Sequence, residues 1–288
     1  MYLSLPMRRA TGEFSTGVRE ALDKAAAGEE LNVEDGEALL MAEGKELREL
    51  IMLADHVRAE RVGEIVTFVI NRNINFTNVC MGTCRFCAFR RQAGDPLAYR
   101  LTEGDIEHKV AEAVRDGATE VCIQGGLHPE MVLDDYVGIL ESVRRVSPDI
   151  HIHAFSPAEI DRIARVEGID VRGVLLRLKE AGLNSVPGTA AEVFSPRVRA
   201  AICPDKIGFE RWAEIVRTCH GLGLPTTATV LYGTVERPGE LAEHIALIRE
   251  IQRETGGFTE FIPLRFSPFN TPLWHEGIRP RATIEHSL

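Results

Sequence analysis

Three cysteines crowd eight residues of this 288-residue sequence, in the run Asn78-Val79-Cys80-Met81-Gly82-Thr83-Cys84-Arg85-Phe86-Cys87-Ala88-Phe89. Thiolates are soft ligands, suited to zinc and to iron–sulfur centres. A compact loop containing Gly82 lets all three converge on one centre, with Phe86 and Phe89 placed to shield it from water. Cys122, Cys203 and Cys219 lie far away in sequence and are expected to be packed thiols. Three close ligands leave one iron of a cubane without a clustered protein ligand, and therefore open to chemistry. Spacing alone leaves two alternatives, a structural zinc site, which normally takes four ligands, and buried cysteines acting as small hydrophobes.

The loop must be presented by the elements around it. From about residue 69, short β-like runs alternate with amphipathic helices, the pattern of repeated βα units and parallel strands. Six strands are expected, at 73–78, 120–124, 150–155, weakly at 184–186, at 226–232 and at 259–266. Helices are expected at 103–116, which starts after Thr102 as N-cap and stops at Gly117, and at 209–220 and 238–254. The expected fold class is α/β, a TIM-like βα barrel, partial or complete, over residues 66–288. An N-terminal helical extension over 1–65 precedes it, with apolar residues at helical spacing in 18–27, 33–42 and 46–61.

Strand alternation turns Ile74, Phe76, Val121, Ile123, Ile150, Ile152, Ala228 and Val230 toward the helices. It leaves Asn73, Asn75, Thr77, Gln124, His151, His153, Thr227 and Thr229 inside. A barrel closed by packing alone would carry bulky branched residues there, so this polarity predicts a hollow, hydrogen-bonding interior. His151 and His153 are the candidate catalytic pair, because an imidazole exchanges protons near neutral pH. The alternative is a pair of hydrogen-bonded core histidines. Gln124-Gly125-Gly126 ends the second strand, where glycines let backbone approach a ligand closely, or simply turn the chain.

The bulk composition narrows the function classes. With 44% hydrophobic and 26% charged residues the chain should fold. A net charge of -10 supplies no broad positive field for nucleic acid or anionic lipid, so neither is an expected partner. The N-terminus reverses the order of a secretory signal, and the apolar runs are too short to cross a bilayer. A cytoplasmic location is expected, and there six cysteines point to metal rather than to disulfides.

The Cys80-x-x-x-Cys84-x-x-Cys87 spacing, with an aromatic before the last cysteine, resembles the signature of the radical S-adenosylmethionine (radical SAM) superfamily. That resemblance implies a 4Fe-4S cluster on Cys80, Cys84 and Cys87, with the methionine moiety of S-adenosyl-L-methionine chelating the open iron. It implies a glycine-rich ammonium subsite at Gln124, Gly125 and Gly126 and an adenine contact at Phe86. Ser185, Thr189 and Glu192, near the end of the expected fourth strand, are candidates for ribose or substrate contacts, the alternative being a surface loop.

Longer stretches resemble one subfamily, the tyrosine-using subunits of deazaflavin synthase, over residues 60–275. They include Ile123-Gln124-Gly125-Gly126-Leu127-His128-Pro129, His151-Ile152-His153-Ala154-Phe155-Ser156-Pro157, the run 178–192, and Ile202-Cys203-Pro204-Asp205-Lys206. This implies cleavage of the Cα–Cβ bond of L-tyrosine and transfer of its 4-hydroxybenzyl fragment to 5-amino-6-(D-ribitylamino)uracil, in deazaflavin (coenzyme F0) biosynthesis. It also implies an electron donor such as ferredoxin or flavodoxin, and a companion synthase subunit. Aminofutalosine synthase and dehypoxanthine futalosine cyclase of menaquinone synthesis share the cysteine loop and are the alternatives. A non-enzymatic iron–sulfur electron carrier is a third, although a carrier wants four cysteine ligands and no large cavity. Subfamily members continue beyond the point matching Leu288, so a barrel truncated at its C-terminus is expected.

Overall fold

The computed structural model describes residues 15–278. They divide into two compact units, one of residues 15–66 with 237–246, the other of 67–236 with 247–278. The extension expected at 1–65 is thus joined by a stretch from much later in the chain.

In the first unit, α1 (Thr16–Ala26), α2 (Val33–Leu40) and α3 (Gly44–Val62) follow the expected helical periodicity. Val18, Leu22, Ala42 and Leu53 form their shared core. Asn32 and Asp35 close a capping box on α2, and Lys24 pairs with Asp35 at 2.7 Å.

The second unit is built of parallel strands: β1 (Asn71–Asn75), β2 (Glu120–Gln124), β3 (His151–Ala154), β4 (Thr226–Tyr232) and β5 (Phe258–Arg265). β1, β2 and β3 form one parallel sheet and β4 and β5 another. Two isolated bridges, His153 to Ser185 and Val186 to Thr226, join them edge to edge. The strand expected at 184–186 is reduced to these two residues because Pro187, with no N–H to donate, follows at once.

The first strand also differs from expectation, starting at Asn71 and ending at Asn75. Beyond it the chain clasps the 97–101 segment: Thr77 Oγ1 donates to the Tyr99 carbonyl at 2.7 Å, and Asn78 Nδ2 to that of Leu97 at 2.9 Å. Short polar side chains compete for backbone partners in this way, and here they end the ladder.

Between the strands lie α4 (Glu103–Arg115), α5 (Leu133–Val146), α6 (Pro157–Glu167), α7 (Val171–Glu180), α8 (Pro196–Ile202), α9 (Phe209–Gly221) and α10 (Pro238–Thr255), and α11 (Pro272–His275) follows β5. The Thr102 cap on α4 is as expected, completed by Asp105. Ile74, Val121, Ile123 and Ile152 are buried against α4 to α7, so alternation assigned these faces correctly. Phe76, Tyr136 and Phe155 meet edge to face with centroids 5.0–6.0 Å apart. A second core gathers Trp212, Phe194, Ala228 and Ile251.

Candidate cofactor and active site

The cysteine loop leaves the end of β1 and is held at several points. Arg91 N donates to the Asn78 carbonyl and Cys80 N to that of Arg91, at 2.8 and 3.0 Å, closing its base. Met81 N reaches the Leu127 carbonyl at 2.9 Å, and Leu127 N in turn donates to Cys80 Sγ at 3.3 Å, tying the loop to the turn after β2. Arg85 donates to the Ala201 carbonyl at 2.7 Å, Arg90 to that of Gly82 at 3.0 Å, and Thr83 bonds Asp205. Arg85 and Arg90 therefore brace the loop.

Cys80, Cys84 and Cys87 open into one cavity of about 290 Å³, whose walls include Phe86, Gln124, Gly125, Gly126, Thr189 and Glu192. The glycines are there for space. A Cβ on Gly125 would stand 2.5 Å from the Phe76 ring, and one on Gly126 would strike the Val79 carbonyl and Cys80. Strain gathers in the lining, where Ala190 and Glu192 hold φ of 69° and 50°, and in the core at Phe155, next to the lining Ser156, with φ of 61°, values sparsely populated by non-glycine residues. Arg199 braces this stretch by donating to the Ala191 carbonyl at 2.6 Å.

Two charged residues that sequence reasoning did not single out also line the cavity. Lys206 forms an ion pair with Glu192, and its Nζ lies 5.2 Å from the Phe86 ring centroid. Burial disfavours its charge, but Glu192 and Cys84 outweigh that and hold it cationic. Glu159 is 1% exposed. It accepts from Ser156 N and Oγ, at 2.7 and 2.6 Å, and from Gly125 N at 3.2 Å. Burial pushes its carboxyl up to about 7 against those bonds. Lys206 ends the run 202–206 that carried the resemblance, whereas Glu159 lies just beyond the run 151–157. Only their burial beside the thiols marks them.

The remaining candidates assemble elsewhere. Ser185 Oγ stands 2.7 Å from His151 Nε2 and 2.7 Å from His153 Nδ1, hydrogen-bonded to both rings. This trio is absent from the residues lining the cysteine cavity. His151 opens β3 and lies 3.8 Å from Glu120, the first residue of β2, at the N-terminal end of the strands. Burial, with His151 beside it, pulls His153 down to about 4, so its ring is neutral near pH 7 and acts as a hydrogen-bonding group rather than a proton carrier. Thr227 and Thr229, expected to line the interior, are buried and bond the backbone of Gly188, at 2.9 and 3.1 Å.

The donor set fits a polynuclear cluster: three thiols on one cavity wall, N–H groups directed at Cys80 Sγ, and a cation beside Cys84. Burial raises the Cys84 thiol and the Lys206 charge counters it. Among the described residues no three His, Cys, Asp or Glu side chains are grouped as ligands of one ion.

The radical SAM superfamily model matches residues 74–248. The chain is 48% identical over 272 residues to the 5-amino-6-(D-ribitylamino)uracil–L-tyrosine 4-hydroxyphenyl transferase of Methanopyrus kandleri, covering 94% of this chain and 72% of that protein. It is 48% identical to the Methanocaldococcus jannaschii protein of that name, covering 86% and 70%, and 51% identical to one from Methanosarcina acetivorans, covering 80% and 60%. The chain belongs to this family of radical SAM transferases. It spans 60–72% of the length of these relatives. Like other radical SAM proteins, family members use a 4Fe-4S cluster and S-adenosylmethionine. The radical SAM fold is shared with HydG, an FeFe-hydrogenase maturase, at TM-score 0.71 and 15% identity over 95% of this chain and 59% of that one. Methylornithine synthase (PylB) gives 0.67 and 21% over 92% and 72%. As a radical SAM transferase, the chain presents its three family cysteines from the end of β1 and its Gln-Gly-Gly turn from the end of β2, on one cavity.

Proposed function

We propose that this chain joins the 4-hydroxybenzyl group of L-tyrosine to 5-amino-6-(D-ribitylamino)uracil, releasing the rest of the amino acid as iminoacetate. The observation that carries the reading is 48–51% identity, over 80–94% of the chain, to transferases named for these two substrates. Cys80, Cys84 and Cys87 hold the cluster, and Gln124, Gly125, Gly126, Phe86 and Glu192 form the S-adenosylmethionine site. When bound, these cofactors supply one-electron cleavage of a sulfonium to give a 5′-deoxyadenosyl radical. Gly125 and Gly126 keep backbone close to the ligand, while the Glu192–Lys206 pair adds a fixed charge pair to the lining. His151 and His153, bridged by Ser185, contact substrate through hydrogen bonds, which suits a polyhydroxylated ribityl chain. An external one-electron donor of ferredoxin or flavodoxin type and a companion synthase subunit complete the reaction. No described helix is long and apolar enough to cross a membrane. A cytoplasmic location, which keeps free thiols reduced, agrees with the cysteine chemistry.

The test is anaerobic reconstitution with iron and sulfide, then reduction with S-adenosylmethionine, tyrosine and the ribityl pyrimidine. Mass spectrometry should find 5′-deoxyadenosine and the coupled product. Deoxyadenosine without coupling, from any mixture of these substrates, would overturn the substrate assignment.

A further inference from the structure

Glu159 is the one lining carboxylate whose environment is unexplained by its neighbours. It closes a capping box with Ser156 at the start of α6. Two other helices carry the same device and show what it ordinarily requires. On α4 the equivalent Asp105 is exposed to water, and on α2 the buried Asp35 is neutralised by Lys24. Glu159 is buried like Asp35, yet among the described residues no cation forms an ion pair with it, and the Lys206 charge that acts on it from further off is already paired with Glu192. Glu192, the other buried carboxylate on this cavity, has Lys206.

A carboxylate offers about four acceptor positions, of which the three N–H and O–H donors already described occupy three. The fourth belongs to a group lining the cavity. An isolated buried carboxylate is costly unless a cation or further N–H donors complete it. The missing partner is therefore a donor, preferably a positively charged one, brought by whatever enters the cavity. We infer that Glu159 receives the α-amino group of an amino-acid ligand in this cavity, which rests on the radical SAM reading above. Two ligands of that reading carry the group, S-adenosylmethionine and tyrosine.

Calorimetric affinities on reconstituted protein separate the two. Each ligand is compared with its counterpart lacking the amino group, the desamino sulfonium and 3-(4-hydroxyphenyl)propionate. The wild type should prefer the amine-bearing member of at least one pair. In Glu159→Gln that preference should shrink about tenfold or more, as loss of a charge-assisted hydrogen bond predicts. The pair that responds names the ligand. Glu159→Asp, which keeps the charge on a shorter stem, should retain part of the preference and serves as the readout where the Gln protein does not fold. Equal weakening of both members of each pair would make Glu159 a scaffold residue and overturn the inference, as would unchanged affinities. Failure of the functional reading looks different: wild-type protein that binds S-adenosylmethionine and tyrosine normally but forms no coupled product.

Discussion

At the scale of single residues the three thiols are separable from the other cysteines by where their sulfurs point. Cys84→Ala should abolish both the cluster absorbance and 5′-deoxyadenosine formation, whereas Cys219→Ala, fully buried on α9, should preserve both. Turnover by the Cys84→Ala protein at the parent rate would remove the ligand assignment. Lys206 carries a different prediction. Removing one partner of a buried ion pair strands the other, so Lys206→Met should cost about 3–5 kcal/mol, and adding Glu192→Gln should restore most of it. Thermal melts of the single and double variants check this, and an additive double variant would contradict it. Glu159 should also shape the pH dependence of stability. Its folded value, about 7, lies above the ordinary 4.5, so the folded state holds the proton more tightly. Its contribution is full below pH 4.5 and is lost as pH rises toward 7, a change of about 3 kcal/mol in ligand-free protein. Denaturation curves at pH 5 and 7.5 should separate less in Glu159→Gln than in the parent. An equal separation would show that the titrating group is another.

At the scale of elements, what positions the site is contact between turns rather than strand length. The turn after β2 touches the base of the cysteine loop so closely that Gly126→Ala must push on the Val79 carbonyl and Cys80. Backbone cannot swing aside as a flexible side chain can, so a cost of about 1–3 kcal/mol is expected, concentrated on the loop. Iron retention after reconstitution should fall while the far-UV spectrum stays native, and full iron content would show that the loop yields freely. The same scale explains which elements were readable. β2 and β3 match the alternating pattern, and α4 its cap, because these signals are local. β1 ended early because Thr77 and Asn78 found partners some twenty residues on, and the fourth strand shrank because Pro187 stopped it.

For the whole molecule, the split into units has a consequence for truncation. Residues 237–246 of the α10 region belong with the N-terminal helices: Ala242 is buried, and a Cβ on Gly36 would stand 3.1 Å from its Cβ. A chain lacking residues 1–66 should therefore expose this surface and melt lower than the parent, where an independent extension would leave the melting temperature unchanged. The amino-acid sequence by itself determined the chemistry available: three thiols at cluster spacing, a glycine turn after a strand, and βα periodicity, all set by neighbours within a few residues. Only the tertiary structure decided which charges share the cavity. Lys206 meets Glu192 fourteen residues away and Glu159 meets Gly125 thirty-four away. It also set the two histidines on Ser185, outside the thiol cavity. Burial and the pairing it forces come from segments distant in the chain, and no local pattern encodes how far a charge is removed from water.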